Sequence, residues 1–256
     1  MHDSFVAVLS SGSCGNSVFV RSRDAGILVD AGISCREIER RLGMFGAEPA
    51  EVDAVLLTHE HTDHNRGARR FCSVHEVPMF GTEGTLSLTP HDGAQTAVFR
   101  AGGDFAIGDI DIRSVPVDHL ASDPVAFTIK TDGRKVSVIS DLGRVTADLK
   151  RSAEDSDLLM VEANYDEEML RSGTYPEFLK RTILSENGHL SNEDAARLCA
   201  DAACESTARV VLLHMSRENN QAELAEGAVV EALRHKRLRP KVEPTEYGSH
   251  NGPFGL

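Results

Sequence analysis

Thr58-His59-Glu60-His61-Thr62-Asp63-His64 places three histidines and an aspartate within six positions, at the end of a strand predicted over Asp53–Thr58. Composition alone produces His-x-His-x-Asp-His in about one or two chains of this length per thousand, so the run is read as a site rather than a solvated loop. Imidazole and carboxylate suit zinc, manganese and iron alike. A tight turn with alternating side chains aims His59 and His61 one way and Asp63 and His64 another, which predicts two neighbouring divalent metals. Four residues do not complete two such sites, so further ligands must come from other strand ends.

Three positions offer them. His119 follows the strand predicted over Ile110–Val117, Asp141 follows Lys135–Ile139, and His214 follows Val210–Leu213. Each is a ligand-type residue set directly behind an apolar run.

Around these positions the pattern is first strand-rich, then mixed. Phe5–Leu9 and Val18–Arg21 flank the loop Ser10–Ser17, and Gly26–Val29 ends at Asp30, a β-meander. Ser34-Cys35-Arg36-Glu37 has the spacing of a capping box and opens a helix to about Leu42; Arg66–His75 is a second helix. Phe105–Ile107, Ile110–Val117, Val125–Lys130 and Lys135–Ile139 are strands, the last two joined by a hairpin turn at Asp132-Gly133. Leu158–Glu162 and Val210–Leu213 then alternate with helices over Glu193–Ala203 and Gln221–His235. This order predicts an α/β architecture of two packed sheets with helices outside, an αββα four-layer sandwich. The chain has 256 residues, 41% hydrophobic and 26% charged, and residues 1–256 are expected to form one domain.

No stretch approaches the roughly 18 to 20 apolar residues of a membrane span, and Met1–Ser4 lacks a signal-peptide pattern, so a cytoplasmic protein without a membrane partner is expected. Five scattered cysteines, never spaced Cys-x-x-Cys, indicate neither a disulfide framework nor a thiolate zinc site. A net charge of −13 repels polyanions at long range, so a nucleic-acid substrate would need metals or a local basic face. Arg66, Arg69, Arg70, Lys180, Arg181 and Arg217 are the candidates for that face, and each is equally an ordinary solvated helix charge. The basic run His235–Lys241 complements a helix dipole and needs no nucleic acid to explain it.

In order along the chain, Asp30, the His59–His64 loop, His119, Asp141 and His214 resemble the metallo-β-lactamase superfamily over nearly the whole length. The resemblance implies that fold, with one metal on His59, His61 and His119, a second on Asp63, His64 and His214, Asp141 bridging, and Asp30 orienting the loop from behind. His61 stands where oxygen-reducing di-iron members carry Glu, which favours hydrolysis; Glu60 is expected to point away. Val161-Glu162-Ala163-Asn164 and Gly188-His189-Leu190-Ser191-Asn192 look like the Glu and His motifs of ribonuclease Z. That likeness makes Asp63, Glu162 and His189 the catalytic candidates, with His189 as proton donor, since a neighbouring carboxylate stabilises the protonated ring a general acid needs. From the residues alone, the alternatives are a helix-entry histidine with a local hydrogen bond and a solvated strand-end carboxylate.

Only 21 residues separate His119 from Asp141, too few for the arm with which ribonuclease Z grips tRNA. Ser11-Gly12-Ser13-Cys14-Gly15-Asn16, His119-x-x-x-Asp123-Pro124, Gly188-His189-Leu190-Ser191 and His214-x-Ser216-x-Glu218-Asn219-Asn220 are similar to a small bacterial family of 5′-to-3′ DNA exonucleases, often encoded beside a cell-wall two-component system. Gly12 and Gly15 would let backbone N–H groups face a phosphate, or merely make a tight strand connection. The expected activity is metal-dependent phosphodiester hydrolysis of nucleic acid, DNA favoured over tRNA, with a hydroxide bridging two zinc or manganese ions as nucleophile; iron also fits the donors. Two other readings stand beside it: a small-molecule metallohydrolase acting on a cyclic phosphodiester or thioester, and a metal-bearing sensor without turnover.

Overall fold

Alternation along the strands sets the layers. In Phe5–Ser10, Val6 and Val8 join one hydrophobic cluster and Leu9 another. In Leu158–Glu162, Leu158 and Met160 face the same cluster as Val6, whereas Leu159 and Val161 face the opposite way. Side chains two apart share a face of a strand, so each sheet has one apolar face for its partner sheet and one for helices.

The computed structural model describes residues 4–256. Its first sheet is built from β1 (Phe5–Ser10), β2 (Ser17–Arg21), β3 (Gly26–Val29), β4 (Ala54–Leu56), β5 (Met79–Gly81) and β6 (Thr96–Val98). The second contains β7 (Asp104–Ile107), β8 (Ile110–Pro116), β9 (Val125–Thr131), β10 (Arg134–Ile139), β11 (Leu158–Glu162), β12 (Arg209–Leu213) and β13 (Lys241–Pro244), and β14 (Asn251–Gly255) returns to the first sheet beside β1. The orders are β14-β1-β2-β3-β4-β5-β6 and β13-β12-β11-β10-β9-β8-β7.

Between the sheets, Ile27, Leu56 and Phe254 meet Phe127, Ile129, Met160 and Val211. Outside the first sheet lie α1 (Cys35–Met44), α3 (Ala68–His75) and α4 (Glu83–Leu88), the one-turn α2 (Thr62–Asn65) preceding α3. Ile38, Leu42, Phe71 and Leu86 of these helices pack on Phe19, Leu28 and Val55. Outside the second sheet lie α5 (Ala147–Ala153), α8 (Asn192–Ala202) and α9 (Ala222–His235), packing Leu149, Leu198 and Val229 on Leu159, Val161 and Leu212. Two short helices, α6 (Glu167–Ser172) and α7 (Glu177–Ile183), form a satellite with Tyr165. The result is the expected αββα sandwich. No helix among the described residues is long and apolar enough to cross a membrane.

Three local expectations change. The helix predicted over Arg66–His75 begins only at Ala68, because Arg66 caps the end of α2 and Gly67 intervenes, its N–H donating to Ala31 O and its missing Cβ falling 2.0 Å from Ile33 O. The His61–Asn65 segment is thereby a separate turn, free to aim its own side chains. Ser34 caps α1 by accepting from Glu37 N, but Glu37 does not close a capping box; its carboxylate pairs with Arg40 and Arg41. Four strands, β5, β6, β13 and β14, have only three to five residues and were not expected.

β3 to β6 and β10 to β13 are parallel, whereas β14, β1, β2 and β3, and likewise β7 to β10, are antiparallel. Ligand crevices form where such parallel strands end at their carboxyl termini. Asp30 follows β3, His59 lies beyond β4, Asp141 follows β10, Glu162 ends β11 and His214 follows β12.

Candidate metal centre

Three strand ends turn sharply to deliver their side chains. Asp30, Asp141 and His214 have φ of 62°, 55° and 50°. The left-handed region is costly for residues with a Cβ, of order 1–3 kcal/mol, and Asp and His are among the types found there most often. Each fully buried aliphatic side chain in the flanking strands contributes about 1.5–3 kcal/mol, enough to hold such a kink.

These turns bring together the seven predicted ligand residues. Ligand atoms of His59, His61 and His119 lie within 4.8 Å of one another, as do those of Asp63, His64 and His214. Asp141 lies between the two groups, Oδ2 3.0 Å from His64 Nε2 and Oδ1 3.3 Å from His214 Nδ1 and 3.9 Å from His119 Nε2. His119 Nε2 faces His61 Nδ1 at 3.3 Å.

Four of the imidazoles are oriented from behind. His64 Nδ1 donates to Asp30 Oδ2 at 2.7 Å, His119 Nδ1 to Gly188 O at 3.1 Å and His214 Nδ1 to Glu162 Oε1 at 2.8 Å. Thr58 Oγ1 gives its proton to Asp30, so it accepts from His59 Nδ1 at 2.9 Å. In each case the other nitrogen, Nε2, points into the cleft. His59 Nε2 and His214 Nε2 are buried with no hydrogen-bond partner. Buried polar atoms are rarely left unpaired, and an inward lone pair opposite a locked N–H is what a metal-ligating histidine presents. The donor set therefore fits a divalent cation.

Charge in the cleft is balanced by protons. Burial opposes ionisation of Asp141, but His214 and His64 outweigh it and hold the carboxyl well below its ordinary value. Burial likewise opposes the charge on His214, yet Asp141, Asp63 and Glu162 together push it up to about 10. His64 is raised well above its ordinary value by Asp141 and Asp30 against the cost of burial. His59 goes the other way: burial first, and then its neighbour His64, keep it neutral. A cation held here would displace protons from His64 and His214.

Glu162 and His189 are also at the site. Glu162 is fully buried; Oε1 accepts from His189 Nδ1 at 2.7 Å as well as from His214, and Oε2 accepts from Leu142 N and Leu190 N at 3.2 and 3.1 Å. It is thus no solvated strand end. Burial opposes its charge and is outweighed by His189 and His214, so its pKa is lowered. The His189 side chain keeps 21% exposure, and its Nδ1 lies 3.8 Å from Asp141 Oδ1. Gly188 makes this placement feasible, since a Cβ there would sit 2.1 Å from Ile183 O.

Several contributors were not anticipated. Asn16 places Nδ2 3.0 Å from His64 Nε2 and 3.4 Å from Asp63 Oδ2; its signal was the polar end of the glycine loop. That loop does not offer Gly12 and Gly15 N–H groups to a phosphate, because they donate to Asn16 Oδ1 and Gly12 O. Glu60 does point away from the ligands, and its carboxylate accepts from Ser122 N, anchoring the loop that carries His119. Asn192 and Asn220 exchange buried amide hydrogen bonds, and Asn164 Nδ2 donates to His214 O. Lys180 leaves the list of cations for a polyanion: it is buried and its ammonium donates to Arg171 O at 2.7 Å.

The family model of the β-lactamase superfamily domain matches residues 26–215, a span that holds every one of the seven ligand candidates. The chain belongs to the metallo-β-lactamase superfamily. This superfamily member is 35% identical over 235 residues to exodeoxyribonuclease YycJ of Bacillus anthracis, covering 90% of this chain and 89% of that one. It is 36% identical over 234 residues to exodeoxyribonuclease WalJ of Streptococcus pneumoniae serotype 2 (strain D39), covering 89% and 87%. The metallo-β-lactamase fold protein YhfI from Bacillus subtilis has the same fold, with a TM-score of 0.75 at 17% identity over 98% of this chain and 100% of that one. The metallo-β-lactamase fold and its buried His/Asp cluster make this chain a hydrolase with a divalent-metal centre.

Proposed function

We propose that residues 1–256 work as one metallo-β-lactamase-type domain that hydrolyses phosphodiesters of DNA as an exonuclease. His59, His61 and His119 would hold one cation, Asp63, His64 and His214 a second, with Asp141 between them. When bound, two such cations supply a nucleophile at neutral pH and neutralise charge on the phosphate oxygens. Zinc and manganese suit the donors, and iron is compatible with them.

The observation that carries the phosphodiester reading is the contact of 2.7 Å between Glu162 Oε1 and His189 Nδ1. Glu162 accepts from Nδ1 and fixes the ring, so His189 turns Nε2 towards the cleft, where a general acid would carry its proton. An alkoxide leaving group needs that proton, and a positioned general acid contributes about 10²- to 10⁴-fold. Asp30 and Thr58 keep the metal loop oriented, and Asn16 offers an amide beside Asp63. Exposed Arg66 and Arg217, the latter three residues beyond His214, supply cations for the phosphate backbone.

DNA is favoured because both relatives at 35–36% identity are named exodeoxyribonucleases and match along most of their length. The 5′-to-3′ sense rests on the motif resemblance alone. A net charge of −13 favours a second reading, a small cyclic phosphodiester or thioester as substrate. Metal analysis of the purified protein, joined to cleavage of 5′- and 3′-labelled duplex and single-stranded DNA beside cyclic nucleotides, separates the two. Mononucleotide release from a 5′ label with manganese is expected. Turnover of cyclic nucleotides or thioesters with intact DNA would overturn the proposal.

A further inference from the structure

On the helical layer outside the first sheet, away from the residues discussed above, three side chains of different chemistry converge. Cys35 and Glu39 lie four apart on α1 and so share one face of that helix. His75 reaches them from the last turn of α3. Glu39 Oε1 accepts from Cys35 Sγ at 3.2 Å and lies 2.9 Å from His75 Nε2. The three ligand atoms are all within 4.8 Å of one another. Around a tetrahedral ion of zinc size, with bonds of about 2.0–2.3 Å, ligand atoms are roughly 3.5 Å apart. The separations of 2.9 and 3.2 Å fall within about 0.6 Å of that value and the third lies under 4.8 Å, so side-chain rotations suffice to close the shell.

The surroundings favour such a site. The His75 ring packs on Phe71 with centroids 4.7 Å apart, which limits its rotation. The His75 and Glu39 side chains keep 21% and 37% exposure, which leaves a path from solvent and room for a water as fourth ligand. Thiolate, imidazole and carboxylate together select zinc-class ions over magnesium or calcium, which prefer oxygen alone.

We propose that Cys35, Glu39 and His75 form a second, separate binding site for a zinc-class divalent cation that ties α1 to α3. Uptake replaces the Cys35 S–H and the Glu39–His75 contact with bonds to the ion; the thiol proton leaves to water, and the proton on His75 Nε2 is exchanged through water so that the ring keeps only its Nδ1–H. α1 follows the Gly32 turn, where a Cβ would fall 1.7 Å from Asp63 O, and α3 follows the metal-loop helix α2. A bridge between α1 and α3 therefore braces both segments that flank the His59–His64 loop.

Cobalt(II) added to the full-length protein tests this, because thiolate-to-cobalt charge transfer absorbs in the near ultraviolet and the ligand set of the catalytic centre contains no sulfur. The wild type should develop that band, and zinc should abolish it. Cys35→Ser should lose it, and His75→Gln should weaken cobalt binding at least about tenfold, while Cys14→Ser keeps it. Both site variants should retain wild-type phosphodiester turnover with manganese and an unchanged circular dichroism spectrum. No thiolate band in the wild type at saturating cobalt, or a band that survives Cys35→Ser, overturns the proposal. A failure of DNA cleavage in the wild type leaves this readout intact.

Discussion

Replacing Glu162 with Gln keeps the side-chain volume but breaks a fully satisfied buried carboxylate. Two imidazole N–H groups donate to Oε1 and two backbone N–H groups, of Leu142 and Leu190, donate to Oε2. An amide has one acceptor oxygen. If that oxygen faces the rings, the NH2 confronts Leu142 and Leu190 N–H; if it faces the backbone, the NH2 confronts the two rings. The second arrangement forces Nδ1 of His189 and His214 to accept and moves their protons to Nε2, which removes the His214 lone pair from the cleft. Hydrogen bonds to charged groups are worth about 1.5–3 kcal/mol each, so losing two costs about 3–6 kcal/mol, divided between fold stability and metal affinity. An even division puts roughly 2 kcal/mol, or about thirtyfold, on the metal. Urea unfolding of the metal-free protein, chelator competition for the metal and turnover of end-labelled DNA measure the parts separately. Metal affinity and turnover both within twofold of the wild type would refute the assignment of Glu162 as the group that orients these rings.

His189→Ala should leave the metal content unchanged and lower DNA cleavage by about 10²- to 10⁴-fold, while a nitrophenyl phosphodiester, whose leaving group needs no proton, loses far less. Equal losses on both substrates would remove His189 from the role of general acid. His214, held at about 10 in the metal-free cleft, must give up its proton to bind a cation, so metal affinity should climb as pH rises and level off above about 10. Titration calorimetry in buffers of different ionisation enthalpy would show that proton release, and a pH-independent affinity would contradict it. In the metal-free protein the same raised pKa stabilises the fold fully below about pH 6.5 and is lost as pH rises through about 10, which urea midpoints across that range would register. Gly188→Ala forces a Cβ against Ile183 O and should cost about 1–3 kcal/mol. Because Gly188 O also holds His119, that variant should bind metal more weakly than wild type even where it remains folded; wild-type affinity would show that the carbonyl does not orient the ring.

What is local in this protein can be read from the order of its residues. Apolar runs such as Phe5–Leu9 and Leu158–Glu162 are contiguous and buried almost throughout, and the order in which strand-rich and mixed stretches follow one another carries the αββα layering. The His59–His64 loop is likewise contiguous, and His119, Asp141 and His214 were legible because each lies one to three residues beyond an apolar strand. Strands of three to five residues such as β5, β6 and β13 were not legible, since a short run carries no measurable period and is placed by the neighbours it pairs with. Only the tertiary structure decided which way each ring faces. The tautomer of His64 depends on Asp30, 34 positions away, and that of His119 on Gly188, 69 positions away. The same holds for Glu162, whose one oxygen serves both His189 and His214, and for Cys35 and Glu39, an ordinary helix spacing until α3 brings His75 to them. A ligand type can be read from one residue, but the direction of its lone pair is set by hydrogen bonds across the fold, and those exist only once the sheets have packed.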